Sequence, residues 1–307
     1  IMMEKQIVLY PGLLGRRGLM IHGHLIRRKA KSTPPPKTSR LKNLLYALDL
    51  YRVRPIKDRS IKIEWNGDSY SIETDSRGYF RLEVLEHGGN IDQLPREFRV
   101  WESGGLTREG YFFHIDPDKA GAISDIDDTL IISRAANPWK KFKLLVFRNA
   151  HTREATPELQ RLFGKVQEFS ELPDPVDFFY VSDSEWNLLP FLEAFFQVNR
   201  LPDGPFFLQQ MQPNWWKAIF GGRPQKYDKQ NRIEFLLRFF PEKSFVLIGD
   251  SSQRDMRIYA EVGKKFPERI AGIVIRVVDP EKSQSDIHHF GKTYTRLSIP
   301  FHFVEGH

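Results

Sequence analysis

Cysteine is absent from the 307 residues. That excludes disulfides, thiolate nucleophiles and cysteine-ligated zinc, and it is compatible with either redox compartment. No apolar run approaches the roughly 20 residues that a bilayer-spanning helix needs. Glu4, Lys5 and Gln6 interrupt the only short apolar stretch at the amino end. No signal peptide is therefore expected, and the expected location is cytoplasmic, with peripheral membrane contact open. Acidic residues are nearly missing from the first 60 positions, which carry Arg16, Arg17, Arg27, Arg28, Lys29, Lys31, Lys37, Arg40 and Lys42. Much of the net charge of +7 lies there. Such asymmetry suits an anionic partner, whether a membrane surface, a nucleic acid or an anionic substrate; a solvated basic face is the plainer alternative.

What is present reads as globular. Apolar residues make up 40% and charged residues 28%, which excludes disorder throughout. The length suits one large domain or two ordinary ones. Residues 29–42 are Pro-rich and basic and read as a loop or hairpin tip. A helical or extended stretch around 44–51 follows. Ile61, Ile63 and Trp65 alternate with polar residues, Asn66-Gly67 is a hairpin turn, and Tyr70 and Ile72 resume the alternation. Residues 1–115 therefore read as a small antiparallel β-sandwich-like accessory domain.

The pattern changes near Pro117. Short apolar runs at 121–124, 178–182, 245–249 and 270–278 alternate with helical stretches at 158–169, 187–199, 229–240 and 256–265. That spacing predicts an α/β domain over 116–307, with a parallel sheet and crossover helices. Ligands of such sheets bind beyond the carboxyl ends of the strands. The residues there are Asp125-Ile126-Asp127-Asp128-Thr129 after the first strand, Ser182-Asp183-Ser184 after the second, and Asp250 to Asp255 after the third. A lysine-bearing helix, with Lys226 and Lys229 as candidates, precedes the third.

These residue types suit phosphoryl transfer. A carboxylate such as Asp125 can attack phosphorus and carry the phosphoryl group as an acyl phosphate. Bringing two anions together calls for a divalent cation. Mg²⁺ favours hard oxygen ligands, which Asp125, Asp250 and the Asp127 carbonyl offer. Asp127, two residues beyond the nucleophile, is placed to act as acid and then base. Ser182 and a lysine can bind the phosphoryl oxygens. A calcium loop is excluded, because Leu130 and Ala136 stand where Gly and Glu are required. A receiver domain would not need Asp127 at this spacing.

The four motifs in this order resemble those of the haloacid dehalogenase phosphatases. The resemblance implies a Rossmannoid parallel sheet with helices on both faces and a Mg²⁺ cofactor. The string from Ser124 to Thr129 is more specifically similar to the signature of the actin-patch-type phosphatidate phosphatases and their bacterial relatives. Tyr180 to Leu188, Leu201 to Pro205, Phe245 to Ser251 with Asp255 and Tyr259, and Asn149 with Arg153 also resemble that family. The resemblance covers roughly residues 117–280. It implies removal of phosphate from phosphatidate or a related phospholipid. Asp125 would be the nucleophile, Asp127 the acid and base, and Thr129 the residue orienting the loop. Ser182, Asp183, Ser184 and Lys229 or Lys226 would lie on the substrate, and Asp125, Asp127, Asp250 and Asp255 around the metal. Lys229 is preferred, since Ile233, Leu236 and Leu237 then follow at helical spacings. Asp183 and Glu185 depart from the family pattern, which has a small or amide residue and Pro there.

Two segments carry aromatic and basic residues together. Phe206, Phe207, Met211, Trp215, Trp216, Ile219 and Phe220 with Lys217 and Arg223 suit a lipid interface or a packed cap. Residues 133–154, with Trp139 and Phe142 among lysines, suit a cap or an amphipathic helix. His114, His151, His288 and His289 lack ligand spacing and read as structural or surface residues. Three alternatives stand beside the phospholipid phosphatase: a phosphatase for a soluble phosphomonoester, a nucleic-acid end phosphatase suggested by the basic arm, and a non-catalytic membrane- or protein-binding module.

Overall fold

The computed structural model describes residues 3–28, 49–85, 91–113, 115–116, 119–126, 129, 157–169, 176–210, 228–251 and 253–305. The Pro-rich basic segment, residues 133–154 and residues 211–224 lie outside them, as do His114 and His151.

Nine strands form the amino-terminal sheet: β1 (Glu4–Leu9), β2 (Gly12–Gly15), β3 (Gly18–Arg28), β4 (Arg54–Pro55), β5 (Ser60–Trp65), β6 (Asp68–Glu73), β7 (Tyr79–Leu85), β8 (Glu97–Glu102) and β9 (Thr107–Phe113). Their order is β1-β3-β2-β9-β8-β5-β6, with β4 and β7 pairing on β3. The expected hairpin joins β5 to β6, and Asn66 and Gly67 take the positive φ values of 50° and 86° that this tight turn demands. Alternation works as expected on β5, where Ile61, Ile63 and Trp65 are buried. They share one core with Leu14, Leu19 and Ile21 from the β1–β3 half and with Phe98 and Phe112. One pairing departs from the antiparallel expectation: β2 runs parallel to β9. That contact closes between segments 100 residues apart, and no local pattern encodes it.

The second sheet is entirely parallel. Its strands are β10 (Gly121–Ser124), β11 (Asp177–Glu185), β12 (Phe206–Gln209), β13 (Phe245–Asp250), β14 (Ile270–Val277) and β15 (Phe301–Glu305), in the order β12-β11-β10-β13-β14-β15. Around it lie α1 (Pro157–Phe169), α2 (Leu189–Asn199), α3 (Asp228–Phe239), α4 (Gln253–Lys265) and α5 (Pro280–Arg296). Alternate strand residues separate onto two faces. Ile123, Phe179, Val181 and Leu247 meet Ile233 and Leu237 of α3 and Met256 of α4. Ala122, Phe178, Tyr180 and Val246 meet Leu162 of α1 and Phe195 of α2. Burial on both faces is why these strands read as continuous apolar runs, and each large side chain so buried contributes about 1.5–3 kcal/mol.

The expected strands and helices recur with shifted ends. α2 begins at Leu189 because a short 3₁₀ turn, Trp186–Leu188, precedes it and Pro190 stands in its first turn. β11 runs on to Glu185, so the second motif lies on a strand. Phe206 and Phe207 belong to β12 and pack inward, Phe207 in the main core. For these two, packing replaces the lipid-facing alternative.

The two sheets pack on one another. Leu13 and Met20 join the core beside α3, while Tyr10 and Ile26 meet Trp186 and Leu189, with Phe206 and Leu208 against them. The amino-terminal strands thus cover β12, an edge of the parallel sheet that would otherwise be open to unwanted pairing.

Candidate active site at the carboxyl ends of the parallel strands

Asp125 extends the ladder by one residue beyond β10: its amide donates to the Ile248 carbonyl at 2.8 Å. The backbone hydrogen bond fixes the carboxylate beside the end of β13. Thr129 Oγ1 donates to Asp125 Oδ2 at 3.1 Å, tying the following turn to it. Asp250 ends β13, and Asp255 stands in the first turn of α4, where the helix dipole favours an acid.

Lys229 lies in the first turn of α3, where the same dipole disfavours a cation. Its partners compensate. Nζ donates to Asp125 Oδ1 at 2.7 Å and to Asp255 Oδ1 at 2.5 Å, and all three residues are 4% exposed or less. Burial alone would lower the ammonium pKa, but the two carboxylates outweigh it and hold the group above the ordinary lysine range. Lys229 is therefore a fixed cation.

Asp125, Asp250 and Asp255 offer carboxylate oxygens that lie within 4.8 Å of one another. Together they make an anionic, all-oxygen donor set in a buried site. A hard divalent cation such as Mg²⁺ fits that donor set and that charge. Gly249 leaves room for the arrangement: a Cβ there would meet Asp255 Oδ2 at 2.7 Å and the Tyr259 ring at 2.7 Å. Tyr259 braces the same corner by donating to the Ile248 carbonyl at 2.7 Å. Burial, then the neighbouring Asp255, Asp125 and Asp250, raise its pKa well above the usual phenol value.

Ser182 is fully buried on β11, the neighbour of β10, two residues past the Ser124–Tyr180 register pair. Its Oγ accepts the Ser184 amide at 2.9 Å. Asp183, the acid that departs from the family pattern, pairs with Arg232 of α3 at 3.3 Å and Arg254 of α4 at 2.5 Å. Both arginines sit on the helices that carry Lys229 and Asp255. Sequence reasoning missed them; the signal was their spacing, three residues after Lys229 and one before Asp255. Asp127 and Lys226 lie outside the described residues. His288 and His289 are exposed on α5, as expected.

Residues 120–277 match the family model described as "Phosphatidate phosphatase APP1, catalytic domain". Phosphatidate phosphatase APP1 of Saccharomyces cerevisiae is 31% identical over 176 residues, 57% of this chain and 28% of that protein. An uncharacterized protein of Schizosaccharomyces pombe is 29% identical over 169 residues, 53% of this chain and 26% of its own. The chain thus spans little more than a quarter of the length of these curated relatives. Among solved structures, a carbohydrate acetylesterase from Xanthomonas citri aligns at a TM-score of 0.29 and 10% identity, over 96% of this chain and 75% of that one, a likeness that carries no inference.

Proposed function

The chain belongs to the catalytic-domain family of phosphatidate phosphatase APP1 across residues 120–277, and on that premise we propose that it is a Mg²⁺-dependent phosphatase of phosphatidate or a related phospholipid. The parallel sheet would be a haloacid dehalogenase-type domain spanning 116–307, and residues 1–115 a sandwich-like accessory domain. The carrying observation is the buried contact of Lys229 Nζ with Asp125 and Asp255, set among three converging carboxylates.

The chemistry assigned to each residue follows from its place. An Asp125 carboxylate oxygen attacks phosphorus, the bond from phosphorus to the ester oxygen breaks, and an aspartyl phosphate forms. Asp127 gives its proton to the departing oxygen and then takes one from the water that hydrolyses the acyl phosphate. Lys229 and Ser182 hold the phosphoryl oxygens as charge builds on them. Thr129 keeps the Asp125 carboxylate oriented, and Asp183 with Ser184 lines the same side, Asp183 holding the two arginines. Asp125, Asp250, Asp255 and the Asp127 carbonyl would hold Mg²⁺, which supplies charge neutralisation between nucleophile and phosphate. The lipid reading implies transient contact with a membrane surface; no helix among the described residues is long and apolar enough to cross one.

The test is phosphate release from phosphatidate in mixed micelles, with Mg²⁺ or EDTA, for the parent and Asp125→Asn, beside a soluble phosphomonoester. Mg²⁺-dependent release from the lipid, lost in the variant, supports the proposal. Release from the soluble ester alone removes the lipid and keeps the mechanism. Release from neither removes both.

A further inference from the structure

Between the amino-terminal sheet and the end of β12 lies a cavity of about 200 Å³. The first sheet supplies Tyr10, His22, His24, Tyr79 and Arg81; the second supplies Trp186, Phe206, Phe207, Gln210 and, from α3, Arg232. His22 and His24 are two apart on β3 and so share a face. Both are buried, and burial pulls their pKa values down to about 3 and about 4, so both rings are neutral. His24 is fully engaged. Its Nδ1 lies 2.7 Å from the Tyr10 hydroxyl and its Nε2 2.9 Å from Gln210 Oε1, while the ring stacks on Trp186 at 4.1 Å. Gln210 can only accept through that oxygen, so Nε2 carries the proton and Tyr10 donates to Nδ1. His22 meets the Tyr79 hydroxyl through Nδ1 at 3.2 Å, and among the described residues its Nε2 has no partner. Arg81 pairs with Glu83, and Arg232 shares the Asp183 carboxylate with Arg254. The lining is therefore aromatic and hydrogen-bonding, with guanidinium donors on its wall.

Position links the cavity to the reaction. Tyr180 pairs with both Ser124 and Phe206, so β12 ends two strands from β10. At about 4.8 Å per strand, that sets β12 roughly 10 Å from β10 across the sheet, with its carboxyl end on the side where ligands of such sheets bind. Arg232 is common to the cavity wall and to Asp183, the neighbour of Ser182.

We propose that this cavity holds the uncharged, oxygen-bearing part of the leaving group, the glyceryl-ester segment of the phosphomonoester, so that the amino-terminal sheet builds half of the specificity site. The assignment rests on the phosphatase reading and refines its substrate. The volume equals about seven waters at roughly 30 Å³ each, enough for a small polyol with an ester group but not for two long acyl chains, which stay outside. His22 Nε2 and the Gln210 amide face such oxygens as donors, and Trp186 and Phe207 pack the carbon backbone.

The test uses Gln210→Trp, which fills the cavity, and His22→Phe, which removes a donor; circular dichroism checks that each is folded. Calorimetry measures binding of dibutyrylglycerol, the bare leaving group, which needs no turnover. Hydrolysis of methyl phosphate, whose leaving group reaches nothing in the cavity, is measured alongside. The expected result is one-to-one binding to the parent, weakened at least tenfold in both variants, with methyl phosphate turnover within twofold of the parent. No binding to the parent, or unchanged binding in a folded variant, overturns the assignment. Failure of the phosphatase reading shows separately, as absence of turnover in the parent.

Discussion

Lys229 Nζ lies 2.7 Å from Asp125 Oδ1 although 104 residues separate the two. Both side chains are almost wholly buried, so neither can lose the other without exposing an uncompensated charge to a poorly solvating interior. Lys229→Met is expected to lower kcat/KM by about 10²–10³, the usual cost of removing one preorganised donor. It should also cost about 3–5 kcal/mol of stability, as breaking one side of a buried pair does. Steady-state kinetics and chemical denaturation of the same preparation check both; unchanged turnover would remove Lys229 from the site.

Gly249 touches Asp255 where a methyl group would have to stand. Gly249→Ala should displace that carboxylate, costing about 1–3 kcal/mol for overpacking and weakening Mg²⁺ binding. The check is the thermal midpoint with Mg²⁺ and with EDTA. The parent should be stabilised by Mg²⁺ according to its occupancy, and the variant by much less at the same concentration. An equal shift in both would separate Asp255 from the metal.

The neutral histidines make stability depend on pH with a definite sign. His22 and His24 titrate near 6.5 when unfolded and at about 3 and about 4 when folded, so the unfolded chain binds more protons between those values. Their contribution is complete above pH 6.5 and is lost as pH falls toward about 4 for His24 and about 3 for His22, at roughly 1.4 kcal/mol per pH unit for each ring. Urea midpoints at pH 7 and pH 5 should differ more for the parent than for His22→Phe. Equal differences would place the charged form of His22 in solvent.

Much of the parallel half was legible in the sequence, because its strands are apolar on both faces and end in acids: Gly121–Ser124 before Asp125, and Phe245–Asp250. Motif two was harder. Asp183, Ser184 and Glu185 look like a loop, yet pairing with β12 through Glu185 and Gln209 keeps them on a strand. The strand Phe206–Gln209 is four residues long inside an aromatic run, and only its place beside β11 defines it. The helix Pro280–Arg296 and the strand Phe301–Glu305 that follows it went unread, since polar residues dominate the helix and its apolar face rests on few side chains such as Phe290 and Tyr294. His22 and His24 drew no attention because their meaning comes from Trp186 and Gln210, more than 160 residues away. Close contacts across the fold, rather than local pattern, made those positions informative.

The mechanism requires Asp125 to become phosphorylated. Radiolabelled phosphatidate is mixed with enzyme and Mg²⁺, quenched in acid within milliseconds, reduced with borohydride to mark any acyl phosphate, and mapped by peptide mass spectrometry. The mark is expected on Asp125, more abundant in Asp127→Asn, where water attack is slowed, and missing from Asp125→Asn. A mark on another residue, or phosphate release by Asp125→Asn at the parent's rate, would contradict it.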